Sequence, residues 1–188
     1  FKIIDSTKMY SYRELLELCT SIKSAWHYDG LLIDPYNSLI KDPKLITSVG
    51  GHEYDYQATT ELRIFAKKHS VTIWLTTHAN TAALRWTHRV DHPYAGYPMP
   101  PNAADVEGGG KFVNRADDFL VCHRYIQHPS EFMYSLLHVR KVKEVESGGR
   151  PTSIDDPVRL KALRNNVGFS LDGVSVIKKI IDTERQPF

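Results

Sequence analysis

Several features that often reveal a protein's class are scarce or absent in this sequence. Its 188 residues include only two cysteines, Cys19 and Cys122, which are far apart and form no C-x-x-C pair. This excludes a disulfide framework, and we expect both thiols to be reduced core residues in a cytoplasm-like compartment. No run of about 18 or more apolar residues occurs, so no segment is predicted to span a membrane.

A large excess of charge of either sign is also lacking. The sequence has 24 Lys and Arg residues against 22 Asp and Glu residues, a formal net charge of +2. This balance neither requires nor excludes a nucleic-acid partner, because a local basic loop can be sufficient. A hydrophobic content of 41% is ordinary for one globular domain with a real core. The chain begins at Phe1, inside an apolar stretch, which indicates a fragment of a longer protein.

The sequence also lacks a P-loop, although one segment is similar to it. "ADVEGGGKFVNRADD" (Ala104–Asp118) places three glycines and Lys111 before a predicted helix. In the pattern G-x-x-x-x-G-K-[ST], the first glycine would stand at Asp105, and Phe112 would be Ser or Thr. No other Gly-Lys pair exists in the chain. The phosphate cradle of any ATP site would therefore lie outside these residues.

The order of the predicted elements indicates an α/β fold. Along the chain we predict a strand (Phe1–Ile4), a helix capped by Ser11 (Ser11–Trp26), a strand (Gly30–Asp34), a polar segment (35–54), a helix (Tyr56–His69), a strand (Ser70–His78), a long loop (79–107) and a short helix (111–116). Four β segments follow, within Asp118–Tyr125, Glu131–Val142, Pro157–Asn165 and Val174–Ile181. We expect a mostly parallel sheet flanked by helices, extended by antiparallel hairpins, in one domain over residues 1–188.

Polar residues end two of the predicted parallel strands, where ligands bind in open α/β sheets. Asp34 ends "LLID" and His78 ends "IWLTTH". An apolar run followed by Asp is typical of a Walker B strand, whose carboxylate holds magnesium on nucleotide phosphates, usually through water. A helix-capping Asp has the same local pattern. His78 is either a donor that senses a γ-phosphate or a hydrogen-bonded structural residue.

Two further segments have compositions that suit phosphates. "RWTHRVDHPYAGY" (Arg85–Tyr97) interleaves cations with aromatic rings, as in surfaces that bind single-stranded nucleic acid. An ordered surface loop with cation–π pairs is the alternative. In "HVRKVKEVESGG" (His138–Gly149), Lys141 and Lys143 share one face of a predicted strand. These lysines would reach the phosphates of a ligand bound by a neighbouring subunit, or they form a solvated strand end.

Taken in order, these segments resemble the carboxyl-terminal part of the ATPase domain of RecA-fold hexameric replicative DNA helicases, of the DnaB, phage primase-helicase and Twinkle types. The series is "IIDSTKMYSYRELLE", "LLIDPYNSL", "HEYDYQATTELRIFAKKHSVTIWLTTHAN", "ADVEGGGKFVNRADDFLVCHR" and "HVRKVKEVESGGRPT". It covers nearly the whole chain. The resemblance implies a partial RecA-like P-loop NTPase core.

The resemblance also assigns roles to individual residues. Asp34 would be the magnesium-associated Walker B acid, and His78 the phosphate sensor. Lys141 and Lys143 would be cations acting in trans, with Lys143 at the position of the arginine finger. Because Lys143 is not an arginine and cannot bind phosphate bidentately, Arg140 or Arg150 could take that role. The residues expected at the DNA channel are Arg85, Arg89, Gly108, Gly109, Gly110 and Lys111, with the glycines bringing the backbone close to a DNA phosphate.

The function implied by the resemblance is that of a fragment of an ATP-dependent replicative DNA helicase. Its cofactors would be ATP and Mg²⁺, and its partners single-stranded DNA and further copies of itself in a hexamer. No membrane is involved, and the expected location is the cytoplasm of a bacterial or phage-infected cell. The family's P-loop and catalytic glutamate precede this region, so the chain alone should hydrolyse ATP poorly or not at all. The alternatives are another RecA-fold ATPase (RepA-, RadA- or KaiC-like) and a degenerate nucleic-acid-binding module.

Overall fold

A computed structural model of the chain describes residues 2–4, 7–107, 109–163 and 168–176. Its helices are α1 (Tyr12–Ala25), α2 (Pro43–Val49), α3 (Gly51–His69), α4 (Lys111–Arg115) and α5 (Val145–Gly148). Its strands are β1 (Gly30–Ile33), β2 (Thr72–Leu75), β3 (Asp118–His123), β4 (Tyr134–Val142), β5 (Val158–Ala162), β6 (Phe169–Leu171) and β7 (Val174–Ser175). Short 3₁₀ turns lie at Tyr36–Ser38, Ala83–Arg85 and Ala103–Asp105.

The chain forms two compact units. The first unit comprises the residues up to Asn80 together with Asp105–Ala116, and the second comprises Thr81–Ala104 together with the residues from Asp117 onward. The prediction of one domain over the whole chain stays a prediction.

The first unit is built on a parallel strand pair covered by helices. β1 and β2 pair in register from Gly30 opposite Thr72 to Ile33 opposite Leu75, as the strand–helix–strand order predicts. The core beside them includes Cys19 of α1, together with Leu62 and Phe65 of α3. α1 and α3 bury their apolar sides here. Because the two strands run parallel, their carboxyl ends lie at one edge of the unit.

Helix α1 begins with the predicted capping box. The Ser11 hydroxyl accepts from the backbone amide of Glu14, and the Glu14 carboxylate accepts from the backbone amide of Ser11 at 2.8 Å. Two amide groups at the start of the helix are satisfied in this way. The capping box therefore fixes where α1 enters the core.

Replacing Ser11 with alanine should lower the free energy of unfolding by about 1 kcal/mol, because the cap is lost. Urea denaturation at neutral pH would measure the change. Ser21→Ala is the matched control, since Ser21 is exposed within α1 and its hydroxyl donates to the carbonyl of Glu17 in the same helix. Equal effects of the two substitutions would contradict the capping argument.

The second unit contains an antiparallel sheet in the order β3-β4-β5-β6-β7. Its longest ladder joins β3 to β4, with Val121 opposite His138. The register shifts between Phe119 and Leu120, so the ladder steps from Lys141 to Val139 and leaves Arg140 in a bulge. The hairpins thus form a sheet of their own, and the prediction that they extend the parallel sheet is wrong for the described residues.

Three of the element predictions differ from the structure, a fourth lies largely outside the described residues, and one strand was not predicted. Residues 2–4 form no strand, and the described residues provide no ladder partner for them. The polar segment 35–54 contains α2, which begins because Asp42 accepts from the amide of Lys44 and Pro43 occupies the first turn. Helix α3 begins five residues before the predicted Tyr56, at Gly51. The fourth predicted β segment is described only as far as residue 176, and the three-residue strand β6 was missed.

Two predictions of burial are also wrong. The apolar run of β1 predicts a buried strand, but Leu32 is 55% exposed, and Trp74, opposite it on β2, is 56% exposed. Cys122 was expected in the core and lies exposed on β3, whereas Cys19 is buried as predicted. An apolar residue favours burial, but it does not determine whether another element covers it.

Candidate functional site

The carboxyl ends of β1 and β2 bring polar groups together in the first unit. Asp34 directly follows β1, and its carboxylate accepts a short hydrogen bond from the hydroxyl of Thr76, which follows β2. A backbone hydrogen bond also joins the segments that follow the two strands: the amide of Tyr36 donates to the carbonyl of Thr76 at 2.9 Å. Asp34 is exposed, so its carboxylate is accessible to a ligand at this edge.

A second set of contacts extends this edge. The hydroxyl of Thr77 donates to the side-chain oxygen of Asn37 at 2.8 Å, and the Asn37 amide donates to the Glu107 carboxylate at 2.6 Å. The exposed His78 accepts at its backbone carbonyl from the amide of Glu107 at 3.0 Å. Sequence reasoning missed Asn37 and Glu107. Asn37 lies within the quoted "LLIDPYNSL", whereas no local signal marks Glu107 as its partner.

The chemistry of this edge fits a weakly held magnesium ion. Carboxylate and hydroxyl oxygens are ligands that Mg²⁺ accepts, and the ion usually keeps several waters. Among the described residues, no three His, Cys, Asp or Glu side chains cluster as a metal site. Asp34 and Thr76 would therefore suit an ion held mainly by nucleotide phosphates and water, not one held in a protein cage.

The segment before α4 differs from a simple phosphate cradle. Gly109 has a left-handed φ of 86° and Gly110 an ordinary φ of −61°, while Gly108 lies outside the described residues. The Lys111 ammonium lies 3.2 Å from the carboxylate of Asp55 on α3, and both side chains are only 7% exposed. Lys111 is thus held inside the first unit in an ion pair.

Asp55 is the centre of this buried contact set. One of its oxygens accepts from the hydroxyl of Tyr36 at 3.0 Å, and the other lies 3.0 Å from the Lys41 ammonium as well as near Lys111. Burial alone would raise the pKa of Asp55, but the hydrogen bonds from Lys41, Lys111 and Tyr36 outweigh it and lower that pKa. Burial and the neighbouring Asp55 carboxylate raise the pKa of Tyr36. Asp55 is therefore ionised at neutral pH, and the Tyr36 hydroxyl remains a donor.

The loop rich in arginine and aromatic residues is ordered and has two sides. Its rings pack within the second unit: His88 stacks on His92 at 3.9 Å, and Tyr94 stacks on Tyr125 at 4.2 Å. The His88 ring also lies 2.8 Å from the Tyr125 hydroxyl. Three other side chains of the loop are exposed instead, those of Arg85, Trp86 and Arg89. The composition that predicted a nucleic-acid surface is thus divided between internal packing and a solvent-facing side.

The predicted trans-acting cations lie in the second unit. Lys143 follows β4, is 46% exposed and lies 3.0 Å from the carboxylate of Asp117. Lys141 lies opposite Phe119 in the β3–β4 ladder. The alternative finger residue Arg140 has a buried Nε with no hydrogen-bond partner among the described residues, whereas Arg150 is exposed. The identity of the finger stays a prediction.

Comparison with known proteins confirms the predicted resemblance. The chain is 30% identical over 95 residues to the Twinkle homolog protein, chloroplastic/mitochondrial, of Arabidopsis thaliana. That match covers 50% of this chain and 12% of the relative. No protein-family model matches the chain.

Solved structures establish the fold. A solved ATPase domain matches with a TM-score of 0.61 at 13% identity, over 86% of this chain and 51% of that one. A DnaB-like replicative helicase, described with its interactions with primase, matches with a TM-score of 0.61 at 15% identity. That match covers 89% of this chain and 36% of the helicase. No helix in the described part of the chain is long and apolar enough to cross a membrane.

Proposed function

We propose that this chain, which has the RecA-like fold of the ATPase domains of DnaB-like replicative helicases, is the carboxyl-terminal part of an ATP-dependent DNA helicase motor. The chain spans only 12% of the Twinkle homolog and about half or less of the two structures. The activity therefore belongs to a longer protein, which would work as a hexamer in the cytoplasm of a bacterial or phage-infected cell.

The observation that carries this proposal is the meeting of Asp34 and Thr76 at the carboxyl edge of a parallel strand pair. In the proposed motor, the Asp34 carboxylate would hold magnesium through water, and the ion would supply positive charge for the nucleotide phosphates. His78 reports the presence of the γ-phosphate. Lys141 and Lys143 act on ATP bound by a neighbouring subunit, with Lys143, Arg140 or Arg150 as the finger.

Each unit contains residues that we propose contact single-stranded DNA. Arg85 and Arg89 are exposed on the loop of the second unit and would bind phosphates, while Trp86 is exposed between them. In the first unit, the backbone at Gly109 and Gly110 has open space beside it, which leaves room for a phosphate. A direct phosphate contact by Lys111 stays a prediction, because its ammonium is paired with Asp55.

Binding of a fluorescein-labelled oligothymidylate by the 188-residue chain, measured over a range of salt concentrations, tests the DNA part of the proposal. Arg85→Ala and Arg89→Ala should each weaken binding and reduce the slope of log affinity against log salt by about 1. Lys68→Ala is the control, since Lys68 is exposed near the end of α3. Arginine variants that bind with the slope of the control would remove the loop from the DNA interface.

A further inference from the structure

The buried carboxylate of Asp55 connects three segments of the first unit. Tyr36 belongs to the turn that follows Asp34, Lys41 precedes α2, and Lys111 begins α4. Asp55 itself lies on α3 and is 5% exposed. Because all three donors meet one carboxylate, movement of any of these segments changes the contacts of the others.

The glycine-rich segment is tied on both sides to the strand edge. On one side, Glu107 bonds the backbone of His78 and the side chain of Asn37. On the other, Lys111 is paired with Asp55, and the ring of Phe112 packs edge-on against Tyr36 at 5.1 Å. The segment between these ties has no such side-chain anchor of its own, because it consists of glycine. Of its described residues, Gly109 is held by its amide, which donates to the carbonyl of Val106 at 2.8 Å, so the two ties act together with this backbone bond.

We propose that Asp55 and Lys111 are positioning residues that couple the Asp34 edge to the glycine-rich segment through the relay Tyr36–Asp55–Lys111. This inference rests on the proposed function, in which nucleotide binds at the Asp34 edge and DNA binds at the glycine-rich segment. It differs from the direct contact expected from the sequence, since Lys111 acts through Asp55 and not on the phosphate.

Burial and charge favour this relay over a phosphate contact. The Lys111 side chain is 7% exposed, so reaching an external phosphate would require it to leave a buried carboxylate. Tyr36 also connects Asp55 to the strand edge. Its backbone amide donates to the carbonyl of Thr76, and the Thr76 hydroxyl donates to Asp34. A change at Asp34 and Thr76 can therefore reach α4 through adjacent hydrogen bonds.

Hydrogen exchange of the 188-residue chain tests the relay without DNA. Tyr36→Phe keeps the ring and removes only the hydroxyl bond to Asp55, and Asp55→Asn removes the charge. Both should accelerate exchange of the amides of Asn114 and Ala116, which close the turns of α4, by roughly tenfold. Lys67→Met, at an exposed lysine on α3, is the control and should leave these amides unchanged.

DNA binding distinguishes the relay from a direct contact. Asp55→Asn and Lys111→Met should each weaken oligothymidylate binding roughly tenfold, and the double variant no further, because both residues act through one interaction. Since Lys111 does not contact phosphate in the relay, the salt slope should stay that of the unmodified chain. Thermal unfolding of each variant separates these effects from loss of the fold.

The outcomes are separable. A salt slope reduced by about 1 in Lys111→Met would identify Lys111 as a phosphate ligand and overturn the relay. Unchanged exchange at Asn114 and Ala116 in Tyr36→Phe and in a folded Asp55→Asn would also overturn it. If the unmodified chain binds no DNA, the proposed function fails at this interface, and the exchange result alone then supports or rejects the relay.

Discussion

Lowering the pH from 7 to 4 should cost the second unit about 3 kcal/mol of stability through His138 alone. His138 lies on β4, is 2% exposed, and neither ring nitrogen has a hydrogen-bond partner among the described residues. Burial, followed by the charge of Arg140 and the nearby His123, lowers its pKa from 6.5 to about 4. Between these values the unfolded chain binds a proton that the folded chain does not. Stability is therefore full above pH 6.5 and falls as the pH decreases towards 4.

Denaturant unfolding at several pH values between 7 and 4 would measure this loss. His138→Leu should remove most of the loss, because leucine fills the buried site and cannot take up a proton. Burial is also the main cause of the lowered pKa of His88 and of His123, so a smaller dependence of the same sign should remain. His27→Gln is the control, since His27 is exposed. If His138→Leu loses stability with acid as steeply as the control, the assignment to His138 is wrong.

Asp34→Asn should reduce ATP hydrolysis by about 100-fold or more in a longer protein that joins this chain to a P-loop. The neutral amide of asparagine lacks the negative charge with which the Asp34 carboxylate would attract the magnesium ion. Steady-state ATPase assays with excess Mg²⁺ would measure it. Asp29→Asn is a closely matched control: Asp29 is also exposed but stands before β1, at the opposite end of the same strand.

The fold of Asp34→Asn should remain intact, since Asn still accepts a hydrogen bond from the Thr76 hydroxyl. The contribution of Arg85 and Arg89 to binding of single-stranded DNA should be unaffected, because both residues belong to the second unit. An ATPase rate like that of Asp29→Asn would remove Asp34 from the proposed magnesium site and leave the fold assignment standing.

Local signals predicted much of the first unit. The capping box at Ser11 depends on residues three apart, and the two parallel strands follow from apolar runs that stop at polar residues. The predicted strands extend to Asp34 and His78, whereas the strands of the structure end at Ile33 and Leu75. The parallel pairing follows from the helix between the strands. These predictions needed no knowledge of distant neighbours, and the structure confirms the capping box, the existence of both strands and their parallel pairing.

The remaining features of the candidate site depend on contacts between distant residues. Asn37 and Glu107 are 70 positions apart, and Asp55 and Lys111 are 56 apart. Nothing next to Asp55 marks it as the partner of three donors, and the glycines beside Lys111 suggested a phosphate contact instead. For a charged side chain such as that of Lys111, the sequence identifies the charge but not the partner that the side chain contacts.

The glycine run also has an evolutionary consequence. Gly109 has a φ of 86°, which side chains with a Cβ rarely adopt, so substitution there is strained even though the surrounding space is open. Gly110 has an ordinary φ of −61° and nothing within 4 Å of an added Cβ. Selection for folding therefore acts strongly on one glycine and weakly on its neighbour. If related proteins keep glycine at both positions, folding does not explain the glycine at position 110, and a binding partner that needs close approach to the backbone does.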